Sequence, residues 1–165
     1  MTPGSIFRPG MRAYFVPLVA GLVLVVSVFL PWVIVGDVTL RGVPDVRALW
    51  VGGLGALASV LALLSLITRR NSRHPLLIIG LVALGIMFLA WRIMPRTAGE
   101  RALTVSQAYA IVEGAPAGAA PIANVGIGIY VGLIASFVLV CFGLTIIIKR
   151  VSTGYVVAAA DDDVD

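Results

Sequence analysis

Side chains that carry chemistry are scarce in this sequence. It has one cysteine, Cys141, and one histidine, His74. A lone cysteine excludes an intrachain disulfide and any multi-cysteine metal site, and one imidazole is too few to build a His-Cys or His-carboxylate metal cluster. Both glutamates, Glu100 and Glu113, and the aspartates Asp37 and Asp45 fall outside the long apolar runs. Membrane proteases, oxidoreductases and lipid transferases need nucleophile-base pairs, metal ligands or carboxylate clusters, and no such constellation is present. Proton-coupled transporters place an acid or a histidine near the bilayer midplane, and small multidrug exporters of similar helix count embed a glutamate; the apolar runs here hold neither. The expectation is a protein that is not an enzyme, with no catalytic residue, no cofactor and no metal.

Charge is also sparse. Charged residues are 12% of the chain, against about a quarter in ordinary globular proteins. What is plentiful is hydrocarbon: 60% of the residues are hydrophobic and the mean hydropathy is +1.07. A soluble fold of 165 residues cannot hide that much apolar surface. In lipid every backbone N–H and C=O needs an internal partner, so unbroken apolar runs of about 18 residues or more mean helices. The net charge of +4 is no nucleic-acid signature, because the basic residues sit at the ends of the runs instead of forming one patch. Membrane lipids, with anionic headgroups, are the simpler partners.

Four runs meet the length rule, over residues 13–35, 48–68, 76–94 and 126–148. The first exceeds the apolar stretch of a secretory signal and ends in Leu30-Pro31-Trp32 with no small-x-small cleavage site, so it reads as a retained span with the chain starting at Met1. Pro31 should bend or finish that helix. Residues 69–75, with Arg69, Arg70, Arg73 and His74, form a short basic loop that forces an antiparallel hairpin between spans two and three. The predicted fold is an all-α membrane protein, a bundle of four transmembrane helices over residues 13–150. Residues 1–12 are a cytoplasmic N-terminal segment, and residues 151–165 a cytoplasmic acidic tail ending Asp161-Asp162-Asp163-Val164-Asp165, expected to be disordered.

Orientation follows from Lys and Arg near the span ends. One side holds Arg8, Arg12, Arg69, Arg70, Arg73, Lys149 and Arg150, and the other Arg41, Arg47, Arg92, Arg96 and Arg101. The first group is denser and lies in shorter flanks, which puts both termini in the cytoplasm. Of the two outer segments, residues 36–47 are short, with Gly36, Gly42 and Pro44 as turn formers around an extended Val38-Thr39-Leu40. Residues 95–125 are longer and contain one helix signal, the capping box Thr104-Val105-Ser106-Gln107. Val105, Ala108, Tyr109 and Val112 share a face of the short helix that follows, expected to lie along the membrane surface.

Small residues spaced by four mark helix faces that approach closely. Gly128, Gly132 and Ser136 form such a stripe in span four, and Gly52, Ala56 and Ser59, with Gly55 beside them, form another in span two. The stripes serve contact within one bundle or contact with another subunit. Trp32, Trp50 and Trp91 all fall on the outer side, where indoles anchor in the headgroup zone; the sharper alternative is a lipid or quinone headgroup site with Arg92 nearby. Arg92 itself stands close enough to the end of its run to snorkel to the interface, or else pairs with Asp37, Asp45 or a partner subunit. His74 is read as a solvated loop residue and Cys141 as a small packing residue.

The segment Phe29-Leu30-Pro31-Trp32, the Gly-rich second span and the opening Gly126-Ile127-Gly128-Ile129-Tyr130 of the fourth resemble those of small four-span proteins of bacterial inner membranes. The resemblance implies an inner-membrane location and no activity. An arginine-dominated basic set, eleven of the twelve, in a chain rich in Ala, Gly and Val points the same way, to a GC-rich bacterial genome. The loop layout is also similar to that of the tetraspan junction proteins of animals such as claudins, but the paired cysteines of their first loop are missing and their function is not carried over. The function expected is that of a non-catalytic accessory, scaffolding or assembly subunit of a larger membrane complex. A small oligomeric transporter or channel, with Ser59, Ser65, Ser136 and Thr145 along a path, is the alternative.

Overall fold

The computed structural model describes residues 12–68, 73–114 and 122–151, with side chains over 13–68, 73–114 and 122–145. A 3-10 turn (Arg12–Tyr14) leads into α1 (Phe15–Ser27), strands β1 (Pro31–Val35) and β2 (Val38–Arg41), α2 (Val46–Thr68), α3 (Arg73–Glu113), β3 (Ala123–Val125) and α4 (Ile127–Val151). Three helices, α2, α3 and α4, are long and apolar enough to cross a bilayer, which fits a multi-pass membrane protein. The expected basic loop at Arg69 and Arg70, the N-terminal segment and the acidic tail lie outside the described residues.

The helix expected over residues 13–35 stops at Ser27, and its last five residues, Pro31–Val35, are a strand. The cause is local. In a continuing helix the Ser27 carbonyl would receive the N–H of residue 31, but Pro31 has none and its ring would collide with that carbonyl. The indole Nε1–H of Trp32 donates to the same oxygen at 2.9 Å instead. Beyond the break, Val33-Ile34-Val35 is β-branched throughout and suits a pleated strand. At 13 residues α1 is about 20 Å long, short of the ~30 Å hydrocarbon thickness.

β1 is the middle strand of a three-stranded antiparallel sheet in the order β2-β1-β3, so the fold is not purely helical. A two-residue turn, Gly36-Asp37, joins β1 to β2, with Gly36 at φ +56°, a left-handed conformation open to glycine. The β1–β2 register shifts between Pro31 and Val33, which leaves Trp32 as the extra residue of a bulge. The extended piece anticipated at Val38-Thr39-Leu40 is β2.

α2 begins where Asp45 caps it: the carboxylate Oδ1 accepts the Arg47 N–H at 2.8 Å. α3 departs further from expectation. Instead of a span ending at Met94, then a loop with a separate surface helix, it is one helix of 41 residues, about 60 Å, running through Pro95. An interior proline costs about 3 kcal/mol. Half-buried Met94 and Ala98, packed against the core beside the sheet, offset that cost. The capping box therefore starts nothing: Thr104 Oγ1 donates to the Glu100 carbonyl at 2.9 Å, inside a helix already formed.

In the bundle α4 packs along both α3 and α1, α1 along α2, and α2 meets α3 less extensively. The core mixes small side chains such as Ala58 and Ala83 with Leu24, Met87 and Leu139, while many other apolar side chains, among them Val19, Leu22, Ile67, Ile78, Leu81 and Phe137, face outward. At the end opposite the sheet, Tyr14 meets Phe142 edge to face at 5.3 Å and the Arg73 guanidinium lies 5.7 Å over the Phe142 ring.

Candidate functional site

The chain's three tryptophans all stand near the sheet end, but not alike. Trp50 is 65% exposed and Trp91 37%, both open to the surroundings as anchors require. Trp32 is completely buried, a correction to its expected place in an interfacial belt. Its indole is held between two glycines. A Cβ on Gly42 would come within 2.7 Å of Trp32 Nε1, and one on Gly128 within 2.7 Å of Trp32 Cδ1 and 2.9 Å of the Pro31 and Ser27 carbonyls. The Trp32 carbonyl accepts the Gly126 N–H at 2.7 Å, and Val43 N–H reaches the Val28 carbonyl at 3.0 Å, so residues 28–32 are gripped from both sides.

The small-residue stripe of α4 is turned inward. Gly128 meets the α1–β1 junction, Gly132 meets the Met87 side chain and Ser27 Oγ, and Ser136 is fully buried with its hydroxyl on the Gly132 carbonyl at 2.9 Å. In α2 the packing face differs from the expected one: Ala56 is exposed and Gly52 half-buried with room beside it, while Gly55, Ala58, Ser59 and Ala62 are buried. Gly55 crosses Gly21 of α1 so closely that a Cβ on either would lie 2.8–2.9 Å from the other's carbonyl oxygen. Gly80 and Gly143 likewise bring α3 and α4 together, against Val140 and Leu77. Gly143 was detectable, since it stands seven residues beyond Ser136 on the same face. Gly21 and Gly80 have no small residue four positions away and carry no such signal.

Ser59, Ser65 and Ser136 each donate to a carbonyl of their own helix, four residues back, at 2.8–2.9 Å, and Thr145 Oγ1 donates to Phe142 O at 2.7 Å. Arg92 is exposed, and among the described residues it forms no ion pair with Asp37 or Asp45. His74 is exposed at the start of α3. Cys141 is exposed on α4, not packed inside as expected. Arg73 sits at the end away from the sheet; Lys149 and Arg150 lie in the last turns of α4.

Sequence reasoning missed a polar cavity of about 440 Å³ at the sheet end. β1 and β2 supply Val33, Leu40 and Arg41; the turn supplies Pro44 and Asp45; α2 adds Arg47. α3 closes it with Met94 and with Thr97, Ala98 and Arg101, the last three reaching it only because the helix carries on past Pro95. The Asp45 carboxylate is engaged by the Arg47 amide, and none of the three guanidiniums forms an ion pair among the described residues. Three cations and one carboxylate leave this cavity two positive charges in excess. It contains no nucleophile-base pair, and among the described residues no His, Cys, Asp and Glu side chains gather into a metal site. What it offers is anion recognition. Comparison with protein-family models, curated proteins and solved structures finds no match to this chain.

Proposed function

We propose that the chain is a non-catalytic accessory or scaffolding subunit of a larger complex in a bacterial inner membrane. In this reading four helical segments occupy the membrane, both termini are cytoplasmic, and the sheet faces the outer side. The described members of the two arginine groups support the orientation, Arg73 standing at one end of the bundle and Arg41, Arg47 and Arg101 around the other.

The observation that carries the proposal is the far part of α3. Past the sheet it presents Val105, Tyr109, Ile111 and Val112, which are 54%, 64%, 82% and 83% exposed. Outside lipid, an apolar cluster on a helix is a surface that another protein covers. The serines and Thr145, whose hydroxyls are spent on their own helices, favour this reading over a polar transport path. The test is purification in mild detergent followed by mass spectrometry, for the native chain and for Tyr109→Glu/Val112→Glu, a change at exposed positions that leaves the bundle intact. A foreign subunit in stoichiometric amount, lost from the variant, is the expected result. A pure homo-oligomer unaffected by the variant would favour the transporter.

A further inference from the structure

The arginine cavity lies where the apolar part of the helices ends. Its lining joins apolar Val33, Leu40 and Met94 to the exposed Arg41, Arg47 and Arg101. Beside it, on the outer surface of α2, runs an apolar groove of about 460 Å³ lined by Val46, Leu49, Trp50, Gly53, Leu54 and Leu57. The two are adjacent. Val46 of the groove and Arg47 of the cavity are consecutive, and Trp50 and Leu54, three and seven residues on from Arg47, project from Arg47's side of the helix. From Val46 to Leu57 the groove extends about 17 Å along α2, away from the sheet and into the span.

We propose that cavity and groove together form a binding site for one anionic phospholipid. The phosphate lies among Arg41, Arg47 and Arg101, and an acyl chain descends the α2 groove past Trp50. Charge selects the class. Two excess positive charges, with no competing ion pair among the described residues, complement an anionic headgroup and give a net-neutral one no comparable gain. Guanidinium groups suit the task because each presents a planar fork of donors to phosphate oxygens. The groove selects a lipid over a soluble phosphate. This site differs from the tryptophan-and-Arg92 headgroup site considered from sequence, since Trp32 is buried and unavailable.

The test uses the full-length chain in a neutral detergent, with bound lipid counted by native mass spectrometry during titration with phosphatidylglycerol, phosphatidylcholine or sodium phosphate. Phosphatidylglycerol should be retained at ratios where phosphatidylcholine is not. Arg41→Gln/Arg101→Gln, at two exposed positions, should weaken that retention on the order of thirtyfold, about fivefold for each arginine near an anionic lipid. Gly53→Leu should weaken it as well by filling the groove, and the fold accepts the change because nothing lies within 4 Å of a Cβ at Gly53. Equal retention of the two lipids, undiminished retention in either variant, or full displacement of phosphatidylglycerol by millimolar phosphate would overturn the proposal.

Discussion

At the scale of single residues, Pro31 and Trp32 do the most to shape the molecule. Proline removes one donor to the Ser27 carbonyl and the indole replaces it, so at the helix end this oxygen accepts from Trp32 Nε1–H at 2.9 Å as well as from the Leu30 N–H at 3.3 Å. The replacement requires the indole to fit between Gly42 and Gly128, where a methyl group has no room. Gly128→Ala should therefore destabilise the protein by about 1–3 kcal/mol, the usual cost of forcing extra volume into a packed site. Gly132→Ala should cost less, since the main obstacle is the far end of the flexible Met87 side chain. Gly53→Ala, with open space around it, should cost nothing. Thermal unfolding of the three variants in one detergent, followed by circular dichroism, checks the order; a Gly128 variant as stable as the Gly53 variant would contradict the packing described.

At the scale of elements, α2 and α4 were legible because each is an uninterrupted apolar run, and a turn at Gly36 before an extended Val38-Thr39-Leu40 because glycine punctuates the end of an apolar run; the hairpin itself was not, since its first strand read as helix. α1 and α3 were not, for opposite reasons. Hydropathy cannot tell a buried strand from a buried helix, so Trp32-Val33-Ile34-Val35 looked like helix although its partners, β2 and β3, lie on either side of it. Conversely, the end of hydropathy at Met94 looked like the end of a helix, yet α3 continues because its next turns pack beside the sheet. Backbone protection should follow this division. In hydrogen exchange of the detergent-solubilised protein, amides of residues 98–101 should exchange slowly, and those of 105–113, whose side chains are largely exposed, orders of magnitude faster. Uniform protection to Glu113 would mean that the extension is covered.

At the scale of the whole molecule, the distribution of side chains departs from the soluble pattern. Alanines and four internally bonded serines, Ser27, Ser59, Ser65 and Ser136, share the inside with Trp32, Leu24, Met87 and Leu139, while many bulky apolar groups, among them Phe29, Ile67, Phe88 and Phe137, cover the outside. Lipid makes that arrangement stable, because bulky apolar groups gain nothing there by being buried, while small ones let backbones approach. Cys141, exposed about midway along α4, reports on it directly. In intact membranes a charged, impermeant maleimide should leave Cys141 unlabelled from either face, and should label it once the protein is denatured in ionic detergent. Labelling in the native membrane would place this part of α4 in water.

The sequence by itself determined the membrane class and the apolar stretches of the three long helices, though not where α3 ends, since burial in lipid depends on the summed hydropathy of a contiguous run and on nothing distant. It also determined that metal and nucleophile chemistry has few residues to draw on. Only the tertiary structure decided that Trp32 turns inward, that the packing face of α2 runs through Gly55 instead of Ala56, and that Arg41, Arg47 and Arg101 share a cavity. Each of these depends on which backbone lies opposite: a glycine of α4, a glycine of α1, or a strand that holds α3 in place past its proline. Such pairings join residues as far apart as Gly21 and Gly55, Arg41 and Arg101, or Trp32 and Gly128, and no local period or composition encodes them.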